Sequence, residues 1–374
     1  MIRIAISVNK CDSGGQKSLV MAYMRNFDQN RVKFDLIVDA DSNSIPYNEM
    51  KELGGGLYVI PPYQKIVDHM KALHKLFKEN HYDVLYAANN TMNLFPLCVA
   101  YYNGIKVRAS ESLTMASPLE KKRTAMKTVL KQFSHLYCNY FMANGKDCGI
   151  YQFGRKAYDD GKIAIFLSPV DAKANTFDPV LREDTRKKYG WEDKIVYGFI
   201  GRFAAQKNPL FLIDVFYHIS RKQNNAQFVI IGAGALEQQM LEKIENLGIK
   251  EKVSWLGRRE DIRQFYNAFD AFILPSIYEG LPVVGVESQA AGLPIFFSDA
   301  VTREAAVAEL GHFISLDKSP ENWADIVIEE TMKAIPNRRG RESDLRKAGF
   351  DAVSETERLT VYFENAVKEQ QEKS

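Results

Sequence analysis

The sequence predicts two doubly wound α/β domains, each a parallel sheet with helices on both faces. Its 374 residues exceed the ~100 to 200 that one ordinary domain holds. Short β-rich apolar runs alternate with segments of helical spacing through both halves of the chain. Strands separated by helices of this length indicate β-α-β units and a parallel sheet.

In the N-terminal half, runs of β-branched and aromatic residues predict four strands. These are Ile2 to Val8, Phe34 to Val38, Tyr58 to Ile60 and Val84 to Ala88. Between them, apolar residues recur at the i, i+3, i+4, i+7 spacing of an amphipathic helix. The first domain is therefore expected over residues 1–167.

In the C-terminal half, the same alternation predicts five more strands. These are Ile195 to Ile200, Gln227 to Ile231, Val253 to Leu256, Ala271 to Leu274 and Ile295 to Phe297. Pro209 and Pro282 stand where proline is tolerated, at or just before a first helical turn. The second domain is expected over residues 168–351. The joint is expected between Leu167 and Trp191, where the charged run Arg182 to Lys188 interrupts the pattern.

The last predicted helix, about residues 352–374, carries an apolar stripe that must pack on another element. Ser354 and Glu357 have the spacing of a capping box at its start. The stripe consists of Leu359, Tyr362, Phe363, Ala366 and Val367. The pattern is compatible with packing on either domain, and we expect the helix to join the first.

Composition excludes several classes of protein. With 46% hydrophobic and 26% charged residues, the chain is typical of soluble globular proteins. Its longest apolar stretch, Leu94 to Tyr102, is far shorter than the ~20 residues of a membrane helix. The first apolar run is short and is followed closely by Lys10. This predicts a strand rather than a signal peptide, and we therefore expect a cytoplasmic protein. The four cysteines lack the Cys-x-x-Cys spacing, as expected for reduced thiols.

Charge is distributed unevenly along the chain. Residues 1–170 carry 22 Lys and Arg against 15 Asp and Glu, a net charge of +7, and the remainder carries −5. A basic N-terminal half indicates an anionic partner there, such as a phosphate-bearing acceptor or a membrane surface. We expect no nucleic-acid partner.

Ligands of open α/β sheets bind beyond the carboxyl ends of strands. Two loops of the second half follow such strand ends and could contact a ligand. The loop after Ile200 holds Arg202 and Lys207 at the entry to a helix, whose first amides also attract anions. Surface cations are common, so this loop alone leaves a phosphate site and an ordinary loop both open. Gly232-Ala233-Gly234 lacks the rest of a dinucleotide fingerprint and favours a tight turn.

A third loop, residues 275–282, is more specific. It contains Glu279, and Glu287 lies about one turn inside the helix that follows. Gly280 permits close approach of the backbone, and the amides of Val283-Val284 are uncapped. Because a buried carboxylate without partners is costly, we expect Glu287 to face a polar ligand; the alternative is a surface glutamate facing solvent.

Together these elements resemble the C-terminal half of the retaining glycosyltransferases of family 4, which have the GT-B fold of two Rossmann-like domains facing across a cleft. The matching residues are Gly201-Arg202, Lys207-Asn208-Pro209, Gly257 to Asp261, Glu279 and Glu287. The Gly14-Gly15 loop and the segment from Phe350 onward match more loosely. The chain is most similar to the branch that builds bacterial capsular and exopolysaccharides.

The resemblance implies that a sugar moves from a nucleotide donor, expected to be a UDP-sugar, to a glycan or lipid-linked acceptor with retained configuration. Arg202 and Lys207 would clamp the diphosphate and assist catalysis, since the leaving nucleotide gains negative charge. Glu287 would bind the ribose hydroxyls, and Glu279 would act at the donor sugar. The other expected substrate contacts are Gly14, Gly15, Gly201, Gly257, Arg258, Gly280, Leu281, Pro282 and Val283.

The N-terminal half departs from the family pattern. A histidine that related enzymes often carry near a strand end is absent from residues 106–112, where Ser110 and Glu111 are the polar candidates. Glu111 is therefore an expected catalytic group, with a structural role as the alternative.

Asp39-Ala40-Asp41 has a spacing that suits a divalent cation. The alternative is a polar strand end facing solvent. Because Arg202 and Lys207 already supply positive charge, we expect neither a metal nor a cofactor.

Residues 118–136 form a predicted basic amphipathic helix. Its apolar face comprises Leu119, Met126, Val129, Leu130, Phe133 and Leu136, and Arg123, Lys127 and Lys131 lie beside that face. The helix could dock at the inner face of an anionic membrane that holds a lipid-linked acceptor, or it could bury its apolar face in the core.

Two other functions are compatible with this architecture. A GT-B sugar-nucleotide epimerase would need an acid/base set that we do not find in the sequence. A non-catalytic sugar-nucleotide-binding partner of another transferase is compatible with the absent histidine. The four residues Arg202, Lys207, Glu279 and Glu287 favour the transferase.

Overall fold

The computed structural model describes residues 1–12, 14–115, 121–133 and 135–373. The chain divides into two compact units: unit 1 is Met1–Pro169 with Asp351–Ser374, and unit 2 is Val170–Phe350. The ends of unit 2 lie together, since the Val170 amide donates to the Phe350 carbonyl at 2.7 Å. Each unit contains one parallel sheet, which confirms the predicted pair of α/β domains.

The described residues of unit 1 contain seven strands. They are β1 (Ile2–Ser7), β2 (Val32–Asp39), β3 (Gly56–Ile60), β4 (Val84–Ala87), β5 (Val107–Ser112), β6 (Tyr140–Ala143) and β7 (Ile163–Ile165). Their order across the sheet is β3-β2-β1-β4-β5-β6-β7. In the same described part, the helices that precede unit 2 are α1 (Gly15–Asn26), α2 (Tyr47–Glu52), α3 (Ile66–Glu79), α4 (Leu94–Tyr102), α5 (Lys121–Lys131), α6 (Lys146–Phe153) and α7 (Arg155–Asp159).

Burial on both faces explains why the strands of unit 1 read as continuous apolar runs. Ile4 and Ile6 of β1 join a core with Val20 of α1. Ala5, which points to the opposite face, joins a separate core with Leu73 of α3. A parallel sheet covered on both sides requires apolar side chains at successive positions.

Unit 2 repeats the architecture with six strands. They are β8 (Ile195–Ile200), β9 (Ala226–Ile231), β10 (Val253–Gly257), β11 (Ala271–Leu274), β12 (Ile295–Ser298) and β13 (Gly311–Ile314), in the order β10-β9-β8-β11-β12-β13. Its helices are α8 (Pro179–Tyr189), α9 (Pro209–Lys222), α10 (Glu237–Asn246), α11 (Arg263–Ala268), α12 (Val283–Ala290), α13 (Pro320–Ala334) and α14 (Glu342–Lys347).

In each sheet the strand order reverses once beside the first strand of the unit. The reversal lies between β1 and β4 in unit 1 and between β8 and β11 in unit 2. After two such strands the chain continues to helices on opposite faces of the sheet, and a crevice for a ligand opens beside the loops that lead to them. In unit 2 these loops are residues 201–208 and 275–282.

The final helix, α15 (Ala352–Glu372), completes unit 1. Leu359 and Phe363 enter the core that contains Tyr86 of β4, and the Phe363 and Tyr86 rings lie 5.8 Å apart. The predicted capping box at Ser354 is wrong. The N-cap lies three residues earlier, at Asp351, whose carboxylate accepts from the Ser354 amide at 3.1 Å.

The charged run Arg182 to Lys188 does not interrupt the pattern as predicted, because it lies within α8. Asp178 caps this helix by accepting from the amides of residues 180 and 181. Arg182 and Arg186 bind the two oxygens of the buried Asp270 at 2.5 and 3.0 Å. The charges therefore fix α8 onto unit 2. Among all the helices in the described part of the chain, none is long and apolar enough to cross a membrane.

Candidate active site

The loop that follows β8 presents two cations at the strand reversal of unit 2. It makes a short turn at Ala205–Lys207, and Asn208 then takes a left-handed conformation with φ of 52° before Pro209 opens α9. Arg202 is exposed, and its Nη2 donates to Gln206 Oε1 at 3.2 Å. Its guanidinium is therefore open to an approaching anion.

The loop that follows β11 meets the first loop through Glu279. Lys207 Nζ lies 2.5 Å from Glu279 Oε1, which also accepts from Ser276 Oγ at 2.7 Å. Gln206 Nε2 donates to Glu279 Oε2 at 3.2 Å. Glu279 is only 7% exposed, so its charge is balanced by an adjacent cation and by two neutral donors.

Gln206 and Ser276 are site residues that the sequence interpretation missed. The Gln206 carbonyl accepts from the Ile277 amide at 2.8 Å, and its side chain donates to the Tyr278 carbonyl at 3.2 Å. Gln206 thus connects the loop of Arg202 and Lys207 to the loop of Glu279. A neutral side chain has no charge pattern that would reveal this role in advance.

Glu287 lies in α12 and is partly exposed. The Tyr266 hydroxyl of α11 donates to Glu287 Oε2 at 2.7 Å, a partner that the sequence did not indicate. Burial raises the pKa of Glu287 to about 7, and the Tyr266 hydrogen bond acts in the opposite direction. At neutral pH the carboxyl group can therefore take either protonation state.

The first turn of α12 has no side-chain cap among the described residues. Pro282 precedes the helix. Within the preceding loop, Leu281 is buried and Gly280 is partly exposed. The amides of Val283 and the following residue are thus donors without a capping acceptor, as predicted.

Two glycines of the loop after β9 pack against the loop after β8. A Cβ at Gly232 would lie 1.9 Å from the Gly201 carbonyl oxygen, and one at Gly234 would lie 2.5 Å from that of Phe203. This close approach is between loops of the protein itself, in accord with the tight turn favoured from sequence. Gly257 has φ of +62° with open space beside it, and Arg258 is exposed.

Gly14 and Gly15 lie in unit 1, at the strand reversal of its own sheet. Gly14 precedes α1, whose first residue is Gly15, and both are exposed. A Cβ at either position would meet nothing within 4 Å among the described atoms. The backbone there is open to an approaching ligand.

Glu111 is enclosed in the core of unit 1. It is 0% exposed, and the Tyr86 hydroxyl donates to its Oε2. Burial raises the pKa of Glu111 to about 8. The neighbouring Ser110 is also buried and accepts from Asn93 Nδ2 at 3.0 Å. Contact between Glu111 and a substrate would require this core to rearrange.

Asp39 is buried, so the expectation that it faces solvent at a strand end is wrong. Its Oδ2 accepts from the Tyr63 amide at 3.2 Å, and its Oδ1 lies 3.5 Å from His69 Nδ1. Burial raises the pKa of Asp39 to about 7. Asp41 pairs with Lys10 at 2.9 Å instead. Among the described residues, no group of three or more His, Cys, Asp or Glu could hold a metal.

The basic helix predicted at 118–136 falls partly outside the described residues, which omit 116–120 and 134. Its described part contains α5. Met126, Val129, Phe133 and Leu136 are 45% to 62% exposed, so the alternative in which this apolar face lies in the core is wrong for these four.

Comparison with known proteins relates part of the chain to a known family. Residues 182–334 match the family described as Glycosyl transferases group 1. The chain contains a group 1 glycosyltransferase domain. This domain covers both loops of the crevice in unit 2.

Similarity to known proteins extends beyond the matched domain. EpsF of Bacillus subtilis is 26% identical over 358 residues, 94% of this chain and 93% of EpsF. The Escherichia coli UDP-Gal:alpha-D-GlcNAc-diphosphoundecaprenol alpha-1,3-galactosyltransferase is 27% identical over 61% of this chain and 60% of its own length.

Solved structures show that the chain has the GT-B fold. Anabaena Alr3699/HepE in complex with UDP and glucose is 18% identical, with a TM-score of 0.79 over 97% of this chain and 100% of HepE. WaaG, a glycosyltransferase involved in lipopolysaccharide biosynthesis, gives a TM-score of 0.72 over 96% of this chain and 99% of WaaG. The predicted fold class is confirmed.

Proposed function

We propose that the protein transfers a sugar from a UDP-sugar to a glycan or lipid-linked acceptor during assembly of a cell-surface polysaccharide, with retention at the anomeric carbon. The observation that carries the proposal is the meeting of Arg202, Lys207 and Glu279 on two loops at the strand reversal of unit 2. UDP in the HepE complex and the UDP-Gal donor of the E. coli relative support the choice of nucleotide.

Arg202 and Lys207 are assigned to the diphosphate. The exposed guanidinium of Arg202 suits two parallel hydrogen bonds to phosphate oxygens. Lys207 is held by Glu279 before the donor arrives, and its ammonium group has three protons, so it can contact a phosphate oxygen without leaving that partner. Two cations stabilise the negative charge that develops on the leaving β-phosphate.

The remaining donor contacts follow from their positions around these cations. Glu279 and the backbone from Gly280 to Val283 are assigned to the donor sugar. Glu287 is assigned to the ribose, and Gly257 with Arg258 to the base. In unit 1, the open backbone at Gly14-Gly15 is assigned to the acceptor side.

The proposed chemical step is a front-face displacement. The bond between the anomeric carbon and the β-phosphate oxygen breaks, and the acceptor oxygen bonds to the same face of that carbon. The acceptor proton passes to the departing phosphate. Since Arg202 and Lys207 supply the positive charge that a divalent cation would otherwise supply, we propose that the step needs no metal.

Nucleotide release tests this function directly. The purified protein is incubated with a panel of UDP-hexoses and UDP-N-acetylhexosamines and lipid-linked acceptors, and free UDP is measured over time. Arg202→Ala should reduce release at least tenfold, because a charge-assisted phosphate contact contributes ~1.5 to 3 kcal/mol. Arg221→Ala, at the exposed end of α9, is the matched control. Absence of UDP release from every donor, or equal rates for wild type and Arg202→Ala, would refute the proposal.

We also propose that α5 and the residues after it contact an anionic membrane. The exposed Met126, Val129, Phe133 and Leu136 accompany five basic and no acidic residues in the sequence 121–136, a combination typical of interfacial helices. Val129→Ser with Phe133→Ser should reduce sedimentation with vesicles containing anionic lipid, and neutral vesicles serve as control. Equal sedimentation of wild type and variant would exclude this contact.

A further inference from the structure

The described hydrogen-bond partner of Glu287 comes from a different helix and is rigidly held. The Tyr266 side chain is 0% exposed, and its ring packs on Phe272 with centroids 6.0 Å apart. A close-packed ring cannot move its hydroxyl freely. The bond from Tyr266 therefore fixes the carboxylate oxygen Oε2 of Glu287.

The backbone that carries Tyr266 is also held. Arg338 donates to the carbonyl of Tyr266 at 2.6 Å, to that of Ala291 at 3.0 Å, and to that of Phe269. Tyr266 and Phe269 lie at the end of α11, and Ala291 follows the last residue of α12. One guanidinium thus ties the carboxyl ends of both helices, where a cation is favoured, and fixes the spacing between Tyr266 and Glu287.

We propose that Tyr266 is a positioning residue for ribose recognition: it holds one oxygen of Glu287 so that the rest of the carboxylate faces the ribose hydroxyls of the nucleotide. The inference rests on the proposed assignment of Glu287 to the ribose. An ionised carboxylate has about four acceptor sites, of which Tyr266 occupies one. Among the described residues, no other hydrogen bond to the Glu287 side chain is present.

The protonation of Glu287 supports the same role. Burial raises the pKa of Glu287, and the Tyr266 hydroxyl opposes that rise. The bond therefore also helps to keep the acceptor ionised. A purely structural alternative is that Tyr266 only joins α11 to α12.

The test compares two nucleotides that differ only in the ribose. UDP and 2′,3′-dideoxy-UDP are titrated calorimetrically into the wild-type protein and into Tyr266→Phe, which removes the hydroxyl and keeps the ring. The wild type should prefer UDP by on the order of tenfold or more, because hydrogen bonds to a charged acceptor are strong. In Tyr266→Phe this preference should fall by about threefold or more, with the affinity for dideoxy-UDP unchanged.

Two controls separate this role from damage to the fold. Tyr197→Phe removes another buried hydroxyl of unit 2, one that donates to Gln223 at 2.6 Å, and should leave the preference for UDP unchanged. Glu287→Ala should abolish the preference, and adding Tyr266→Phe to it should change nothing further. Phe272→Leu, which loosens the Tyr266 ring, is a second variant and should lower the preference to a smaller extent.

An unchanged preference in both Tyr266→Phe and Phe272→Leu would overturn the proposal. So would an equal loss of affinity for the two nucleotides, which would assign Tyr266 to the fold alone. If the wild type binds UDP and dideoxy-UDP equally, the ribose assignment fails while the nucleotide site stands. If it binds neither, the proposed function fails as well.

Discussion

Replacement of Lys207 by methionine should separate a structural ion pair from a charge that binds ligand. Lys207 and Glu279 are 12% and 8% exposed at their side chains and 2.5 Å apart. Lys207→Met alone leaves a buried carboxylate without its cation. Lys207→Met combined with Glu279→Gln removes both charges and nearly preserves the shapes of the side chains.

The two variants should differ in stability and agree in nucleotide binding. Breaking a buried ion pair from one side costs ~3 to 5 kcal/mol. Because Glu279 keeps its hydrogen bonds from Ser276 and Gln206, we expect about 2 to 3 kcal/mol for Lys207→Met. The double variant should recover at least half of this loss. UDP affinity should fall at least tenfold in both, since both lose a charge-assisted contact of ~1.5 to 3 kcal/mol.

Urea unfolding gives the free energy of unfolding, and calorimetric titration with UDP gives the affinity. Lys222→Met is the control, because Lys222 pairs with Asp325 on the surface of the same unit and a surface pair contributes little. Recovery of UDP affinity together with stability in the double variant would show that Lys207 is only structural, and would refute its assignment to the diphosphate.

Three further outcomes are expected. Glu287→Gln should mainly raise the donor KM, because the ribose contacts are alike in the ground state and in the transition state. Glu279→Gln should instead mainly lower kcat. Steady-state kinetics with one verified donor measure both constants, and the reverse division would contradict this prediction. Glu111→Gln should have the same melting temperature as the wild type near pH 5 and a higher melting temperature at pH 8. The folded pKa of Glu111, about 8, lies above its ordinary 4.5, so the wild type loses stability as pH rises through that range; a melting-temperature difference independent of pH would exclude this. EDTA should leave turnover intact, and a loss restored by manganese would instead favour a metal at Asp39 and Asp41.

Sequence patterns predicted the parts of the fold that depend on local periodicity. The strands ending at Ile200 and Leu274 were placed correctly, and their loops meet at one strand reversal because parallel strands present their carboxyl ends at the same edge. Local sequence signals were wrong where contacts with distant residues determine the structure. The run Arg182 to Lys188 reads as a polar interruption, but Asp270, 88 residues beyond Arg182, turns it into a docked helix.

The sequence indicated the charged residues of the candidate site. It did not indicate the neutral side chains that hold those charged residues in place. Arg202, Lys207 and Glu279 stand out in sequence because together they match a family pattern in loops that follow strands. Gln206 and Tyr266 do not, since a neutral amide and a buried aromatic residue occur throughout such a chain. Their roles follow only from hydrogen bonds across 73 and 21 positions, to Glu279 and Glu287.

The return of α15 to unit 1 sets an order on folding during synthesis. Leu359 and Phe363, which complete the core around Tyr86, leave the ribosome only after all of unit 2 has been made. Unit 2 can close as soon as its own residues emerge, since its two ends meet at Val170 and Phe350. The core of unit 1 therefore remains incomplete, with apolar surface exposed and prone to aggregation, while unit 2 is made and folds.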